Sequence, residues 1–160
     1  MSYTAAVFTV SDLGSQGLRQ DTSGPAVCAM LEEAGFQTVY TAILPDDRQQ
    51  ISAALRSCAD EKRIDLIVTT GGTGLSPRDV TPEATADVIE REIRAIPVAM
   101  WVEGLKVTPR AMLSRAVAGT RGSSLIINLP GSEKAARENL AAVIGALEHA
   151  LHMIAAEGHG

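Results

Sequence analysis

Aromatic side chains are scarce in this chain: two Phe, two Tyr and one Trp among 160 residues. The core therefore has to be assembled from Ala, Val, Ile and Leu, an aliphatic bias that suits helices packed on a buried parallel sheet. Cysteine is limited to Cys28 and Cys58. Each falls within an apolar helical pattern, which reads as a buried thiol in a reducing compartment, not a metal or redox site. Positive charge is in deficit, with 14 Lys and Arg against 19 Asp and Glu and a formal net charge of −5. The overall field thus opposes non-specific nucleic-acid binding, although a local cationic pocket remains compatible with it. No apolar run approaches the ~18 residues of a membrane-spanning helix, and no basic segment followed by an apolar one opens the chain. These absences predict a cytoplasmic protein with neither nucleic acid nor membrane as a partner.

What is present fits one globular domain over residues 1–160, with 46% hydrophobic and 21% charged residues. Short apolar, β-branched runs predict strands at 3–10, 36–44, 65–70 and 124–128. Helical periodicity predicts helices at 23–34, 47–61, 81–91, 98–105, 109–117 and 132–156. Strands alternating with helices of this length imply right-handed crossovers and helices on both faces of the sheet. The expected fold class is α/β, a three-layer α/β/α sandwich with a mainly parallel central sheet.

In such a sheet ligands bind beyond the carboxyl ends of the strands. Four polar loops follow strands here: Ser11–Gly17, Pro45-Asp46-Asp47, Gly71–Thr81 and Asn128–Ser132. The third is the richest. Gly71, Gly72, Thr73 and Gly74 let the backbone approach a ligand closely, and their N–H groups can cradle phosphate oxygens. The loop matches neither a Walker A motif nor Gly-x-Gly-x-x-Gly. Asp46 and Asp79 each follow a strand and could share Mg²⁺, which takes one or two carboxylates plus phosphates and water; each could equally cap a turn. Asp47 is the better helix cap, which leaves Asp46 for the cleft. Arg78 could fork onto a phosphate or lie solvated on the surface. Ser114 and Arg115 could grip an anion or form the polar face of a helix, and Asn128 could reach the cleft or cap its own turn. His149, His152 and His159 lack partners at metal-ligand spacing and read as surface residues.

The run Thr69–Thr85, Thr-Thr-Gly-Gly-Thr-Gly-x-x-x-Arg-Asp-Val-Thr-Pro-Glu-Ala-Thr, closely resembles the signature of the molybdopterin-binding, MogA/MoaB-like family. Thr9-Val10-Ser11-Asp12, Leu44-Pro45-Asp46, Leu113-Ser114-Arg115 and Asn128-Leu129-Pro130-Gly131-Ser132 support it in the same order. The resemblance implies a homotrimer that adenylates molybdopterin with ATP and Mg²⁺ in molybdenum cofactor synthesis, releasing pyrophosphate. It implies Asp46 and Asp79 as the catalytic, magnesium-organising acids. Gly71, Gly72, Thr73 and Gly74 would bind the nucleotide, bordered by Pro130, Gly131 and Ser132. Ser11, Ser114 and Asn128 would hold the pterin's terminal phosphate, with Asp12, Arg78 and Arg115 beside the substrate. A molybdate-inserting protein could dock as a partner. Two alternatives stay open: a non-catalytic molybdopterin-binding protein of the same fold, and a competence-damage-type domain for another nucleotide or pterin.

Overall fold

The structure, a computed structural model, describes residues 2–156. Its centre is a six-stranded sheet in the order β2-β1-β3-β6-β5-β4. Four strands run parallel: β1 (Thr4–Val10), β2 (Gln37–Leu44), β3 (Leu66–Thr70) and β6 (Ser124–Leu129). Every residue of β3 and β6 is buried, as expected of strands covered on both faces. Side-chain alternation divides the core in two. Ala5 and Val7 of β1 join Leu66, Val68, Leu125 and Ile127 on one face, under α2 (Ser23–Glu33), α5 (Ala95–Leu105) and α6 (Glu133–Ala155). Ala6, Phe8 and Val10 join Ile67 and Ile126 on the other, under α3 (Arg48–Arg56) and α4 (Thr81–Ala86). Each fully buried Val, Leu, Ile or Phe side chain contributes about 1.5–3 kcal/mol. The three-layer expectation is met.

The margin of the sheet departs from the sequence reading. The helix expected over 81–91 ends at Ala86, and Arg91–Glu92 forms β4. The helix expected over 109–117 is a single 3₁₀ turn, Pro109–Leu113, followed by β5 (Ala118–Arg121). β5 runs antiparallel to β6 and to β4. Gly119 permits this contact: a Cβ there would lie 2.6 Å from the Arg91 carbonyl oxygen. A further α-helix, α1 (Asp12–Ser15), is one turn following β1.

Register fixes where the site forms. Val10 pairs with Leu44, Thr9 with Thr70 and Thr70 with Leu129, so β2, β1, β3 and β6 end side by side. The loops that follow them emerge along one rim.

Candidate active site

Main chain shapes the floor of that rim. Gly71 has φ +107° and donates its N–H to the Leu129 carbonyl at 3.0 Å. A Cβ on it would run into the carbonyl oxygen of Val10, so the ends of β1, β3 and β6 meet at a point that excludes any side chain. Gly72 follows at φ +72°; a Cβ here would strike Thr81 Oγ1 and lie 3.2 Å from Asp46 Oδ1. The opposing loop is pinned by hydroxyls: Thr70 Oγ1 donates to the Pro130 carbonyl and Ser23 Oγ to the Gly131 carbonyl, both at 2.6 Å. The result is a cavity of about 450 Å³ that brings together Ser11, Asp46, Gly71, Gly72, Asp79, Gly131 and Ser132. Thr73 and Gly74, also expected at the nucleotide, do not line it: Thr73 is buried, and Gly74 packs against Asp79, whose Oδ2 would lie 2.9 Å from a Cβ on this glycine.

The two candidate acids therefore open into one space. Asp47 caps α3, accepting from the Gln50 N–H at 2.9 Å, which leaves Asp46 to face the cleft as its position suggested. Burial, reinforced by repulsion from Asp12 and Asp79, holds the Asp46 carboxyl above the usual carboxylate range, although the Asp12 amide pulls the other way. Asp79 accepts from the Ser76 N–H at 3.0 Å, which folds the end of the glycine loop back toward the cavity.

Several residues expected at the substrate are engaged elsewhere. Asn128 is fully buried; its amide nitrogen donates to Thr69 Oγ1 and Thr85 Oγ1, both at 2.9 Å, and its Oδ1 accepts from the Val117 N–H. Every group that could have reached a phosphate is used inside the core, because Asn128 stands on β6 facing α4. Arg115 turns away from the cavity. It donates to the carbonyls of Gly74 (2.8 Å) and Asp79 (2.7 Å) and pairs with Glu83, whose carboxyl it holds below the usual range. Arg115 thus staples the glycine loop to α4. Arg78 forks onto Asp12, with both contacts at 3.0 Å. Ser11 caps α1 by accepting from the Gly14 N–H at 3.0 Å while still lining the cavity. Ser114 and Pro130 open into a second cavity of about 420 Å³, whose walls include Arg110 and Lys134 and which shares Ser132 with the first.

Residue type gave no sign of other contributors. Arg19, Asp21 and Ser23 line the first cavity. Asp21 ties β1 to α2, accepting from Thr9 Oγ1 at 2.7 Å and from the Gly24 N–H at 2.9 Å. The Asp-x-x-Gly spacing ahead of a helix was the one available signal. His149 and His152 are exposed on α6, where a His152 ring nitrogen hydrogen-bonds with the Tyr3 hydroxyl at 2.7 Å; His159 lies outside the described residues.

A divalent cation fits this donor set. Thr81 Oγ1 is fully buried and has no hydrogen-bond partner in the structure, in the gap that a Cβ on Gly72 would fill beside Asp46 Oδ1. Among the described residues no group of three His, Cys, Asp or Glu side chains stands at metal-holding geometry. Two carboxylates that leave the remaining positions to water and phosphate oxygens meet the requirements of Mg²⁺.

Comparison with known proteins identifies the family and the fold. Residues 6–149 match the family described as "Probable molybdopterin binding domain". The chain belongs to that family. A molybdopterin adenylyltransferase of Helicobacter pylori (strain ATCC 700392 / 26695) is 42% identical over 92% of this chain and 85% of its own length. The molybdenum cofactor synthesis protein cinnamon of Drosophila melanogaster is also 42% identical, over 96% of this chain, which spans only 26% of that longer protein. The crystal structure of the molybdopterin biosynthesis enzyme MoaB from Thermus thermophilus superposes with a TM-score of 0.91 at 47% identity, covering 95% of this chain and 96% of that one. Among the described residues, no helix is long and apolar enough to cross a membrane.

Proposed function

We propose that this chain is a molybdopterin adenylyltransferase, transferring AMP from ATP to the terminal phosphate of molybdopterin. The observation that carries this reading is the convergence of Asp46 and Asp79 on one cavity floored by Gly71 and Gly72, with the unpartnered Thr81 hydroxyl beneath. Relatives 39–42% identical over most of the chain are named for this activity. The second cavity supports a two-substrate reaction, because Ser132 borders both spaces. The nucleotide phosphates occupy the acid-walled cavity, and the pterin lies beyond Ser132, where Ser114, Arg110 and Lys134 offer a hydroxyl and two cations to its phosphate.

In the reaction an oxygen of the pterin phosphate forms a bond to the α-phosphorus of ATP as the bond to the β,γ-pyrophosphate breaks in line. Both reactants are anionic, so the main task is to offset their repulsion and hold the line of attack. Mg²⁺, when bound, supplies charge neutralisation on the phosphates. Asp46 and Asp79 would hold it. The N–H group of Gly72, which lines the cavity and has no acceptor among the described residues, is available to a phosphate oxygen. No general base is required, because a phosphate monoester is largely ionised above its second pKa of ~6.

The test is pyrophosphate release from purified protein, molybdopterin and MgATP; release no faster than without protein rejects the enzyme in favour of a pterin-binding protein. Asp79→Asn lowers turnover roughly 5–150-fold, the effect of about 1–3 kcal/mol of lost transition-state stabilisation. A homotrimer belongs to the same proposal. The side chains of Val98, Val102 and Leu105 on α5 and Met112 and Leu113 beyond it lie 47–65% exposed, an apolar surface suited to a subunit contact. Light scattering that finds monomers alone removes it.

A further inference from the structure

Asp12 was expected to touch substrate, yet it does not line the cavity that holds Asp46. The Ser11 N–H bonds to the Leu44 carbonyl at 2.8 Å, carrying the β1–β2 ladder one step past the strands and setting residues 12 and 46 against each other. The two aspartates then exchange hydrogen bonds. The Asp12 N–H donates to Asp46 Oδ2 at 3.0 Å, and the Asp46 N–H donates to Asp12 Oδ1 at 2.9 Å. Arg78 closes the outer side of Asp12, donating to both of its carboxylate oxygens. The Asp12 carboxylate is thus occupied by an amide and a guanidinium. Asp46 is left with Oδ2 held and Oδ1 turned toward Gly72 and the unpartnered Thr81 hydroxyl.

We propose that Asp12 is a positioning residue: its reciprocal exchange with Asp46 locks the rotamer that presents Asp46 Oδ1 to a divalent cation, and Asp12 itself contacts neither cation nor substrate. This rests on the reading of Asp46 as a metal-organising acid. Groups that orient a metal ligand from behind are worth about 10–100-fold in metal affinity, so the arrangement is consequential without being catalytic.

Two substitutions separate geometry from charge. Asp12→Asn keeps an oxygen for the Asp46 amide and removes the charge; exposed Arg78 can turn to solvent. Asp12→Glu keeps the charge and displaces the oxygen by one methylene. Amide exchange at Asp46, followed by NMR, reads the positioning directly. It should match wild type in Asp12→Asn and run about 5–10-fold faster in Asp12→Glu and Asp12→Ala, as the loss of one hydrogen bond predicts. Mn²⁺ binding in the presence of ATP and the absence of pterin, followed by paramagnetic resonance, reads the consequence. It should weaken roughly tenfold in Asp12→Glu and Asp12→Ala and stay within about twofold of wild type in Asp12→Asn. In turnover, the Mg²⁺ needed for half-maximal rate rises in Asp12→Glu while the rate at saturating Mg²⁺ largely recovers. Unchanged Asp46 exchange in Asp12→Ala, or Mn²⁺ binding in Asp12→Asn as weak as in Asp12→Ala, overturns the proposal. An Asp46→Asn variant that binds Mn²⁺ as wild type does instead removes the metal reading on which it rests; weakened binding in Asp46→Asn with intact binding in Asp12→Glu removes the positioning alone.

Discussion

The two cavities flanking Ser132 are built from different materials. The first has a floor of main chain, with Gly71 and Gly72 at positive φ and carbonyls pinned by Thr70 and Ser23; Asp46 and Asp79 are held by backbone amides, and the side chains of Arg19, Asp21 and Glu133 also line the space. The second is walled by side chains, with Arg110, Lys134 and Ser114 around the apolar surfaces of Val107, Ala111 and Pro130. A main-chain wall cannot re-form around an added atom, whereas flexible side chains move aside at little cost. The first cavity therefore suits a ligand built of groups of fixed geometry, such as the tetrahedral phosphates of a polyphosphate, and the second a ligand recognised by charge and apolar area. Sensitivity to substitution should fall steeply from the first to the second.

Gly71→Ala is the most severe way to probe that gradient. The new Cβ meets a backbone carbonyl at φ +107°, and neither can yield without opening the sheet rim. Strain of this kind costs about 1–3 kcal/mol before the clash is added, so urea denaturation should report a loss of at least about 2 kcal/mol and nucleotide binding should vanish. A Gly71→Ala protein of wild-type stability would mean that the floor is not rigid main chain at all.

Arg115→Met comes next. The carbonyls of Gly74 and Asp79 lose their donor and Glu83 its partner. The pair with Glu83 is more than a third exposed on the acid's side, so it adds little, and the net loss is about 1–2 kcal/mol, chiefly from the carbonyls. The loop loosens while the second cavity keeps its walls. KM for ATP should therefore rise several-fold with pterin affinity unchanged; a parallel loss of pterin affinity would show that the two spaces are one.

How much of this was legible beforehand divides along the same line. The buried runs of β1, β3 and β6 announced the parallel sheet, and the glycine run announced a main-chain site at its rim. The choice of Asp46 over Asp47 followed from capping chemistry alone. Orientation was not legible. Asn128 and Arg115 carry the residue types of a phosphate site, but whether a polar side chain on β6 or before β5 faces cleft or core depends on strand register and on Thr69, Thr85 and Glu83, which are distant in sequence. β4 and β5 escaped notice for a related reason. Two and four residues are too few to impose a period of two, and Gly119 is a poor strand former that only the close approach of Arg91 explains.

Asp46→Asn turns the contrast into a question of sign. Burial raises the Asp46 pKa in the folded protein, so its ionised form opposes folding, and any stability it contributes is present only at low pH and is lost as pH rises through the raised value. At pH 7 without cation, Asp46→Asn should therefore melt above wild type, and the gap should close as pH falls through the raised value and the wild-type carboxyl takes up its proton. Added MgATP should reverse the order, because only wild type keeps both acids. A variant less stable than wild type in chelator would show that other contacts of the carboxylate outweigh its burial.

The mildest change is expected in the second cavity. Ser114 is half-buried beside Arg110, and its hydroxyl lies near the backbone N–H of Ala116, a 3.3 Å contact of marginal strength. Ser114→Ala removes one neutral hydrogen-bonding group from a wall that also offers two cations, so fold stability should hold within about 0.5 kcal/mol. Pterin affinity should fall by about 0.5–1.5 kcal/mol, or roughly 2–10-fold, with the KM for ATP unmoved. Fluorescence titration with molybdopterin distinguishes the outcomes. A loss beyond a hundredfold would mean that Ser114 orients the attacking phosphate as rigidly as the glycine loop is proposed to hold the nucleotide, and the division between a main-chain floor and an adaptable wall would not survive it.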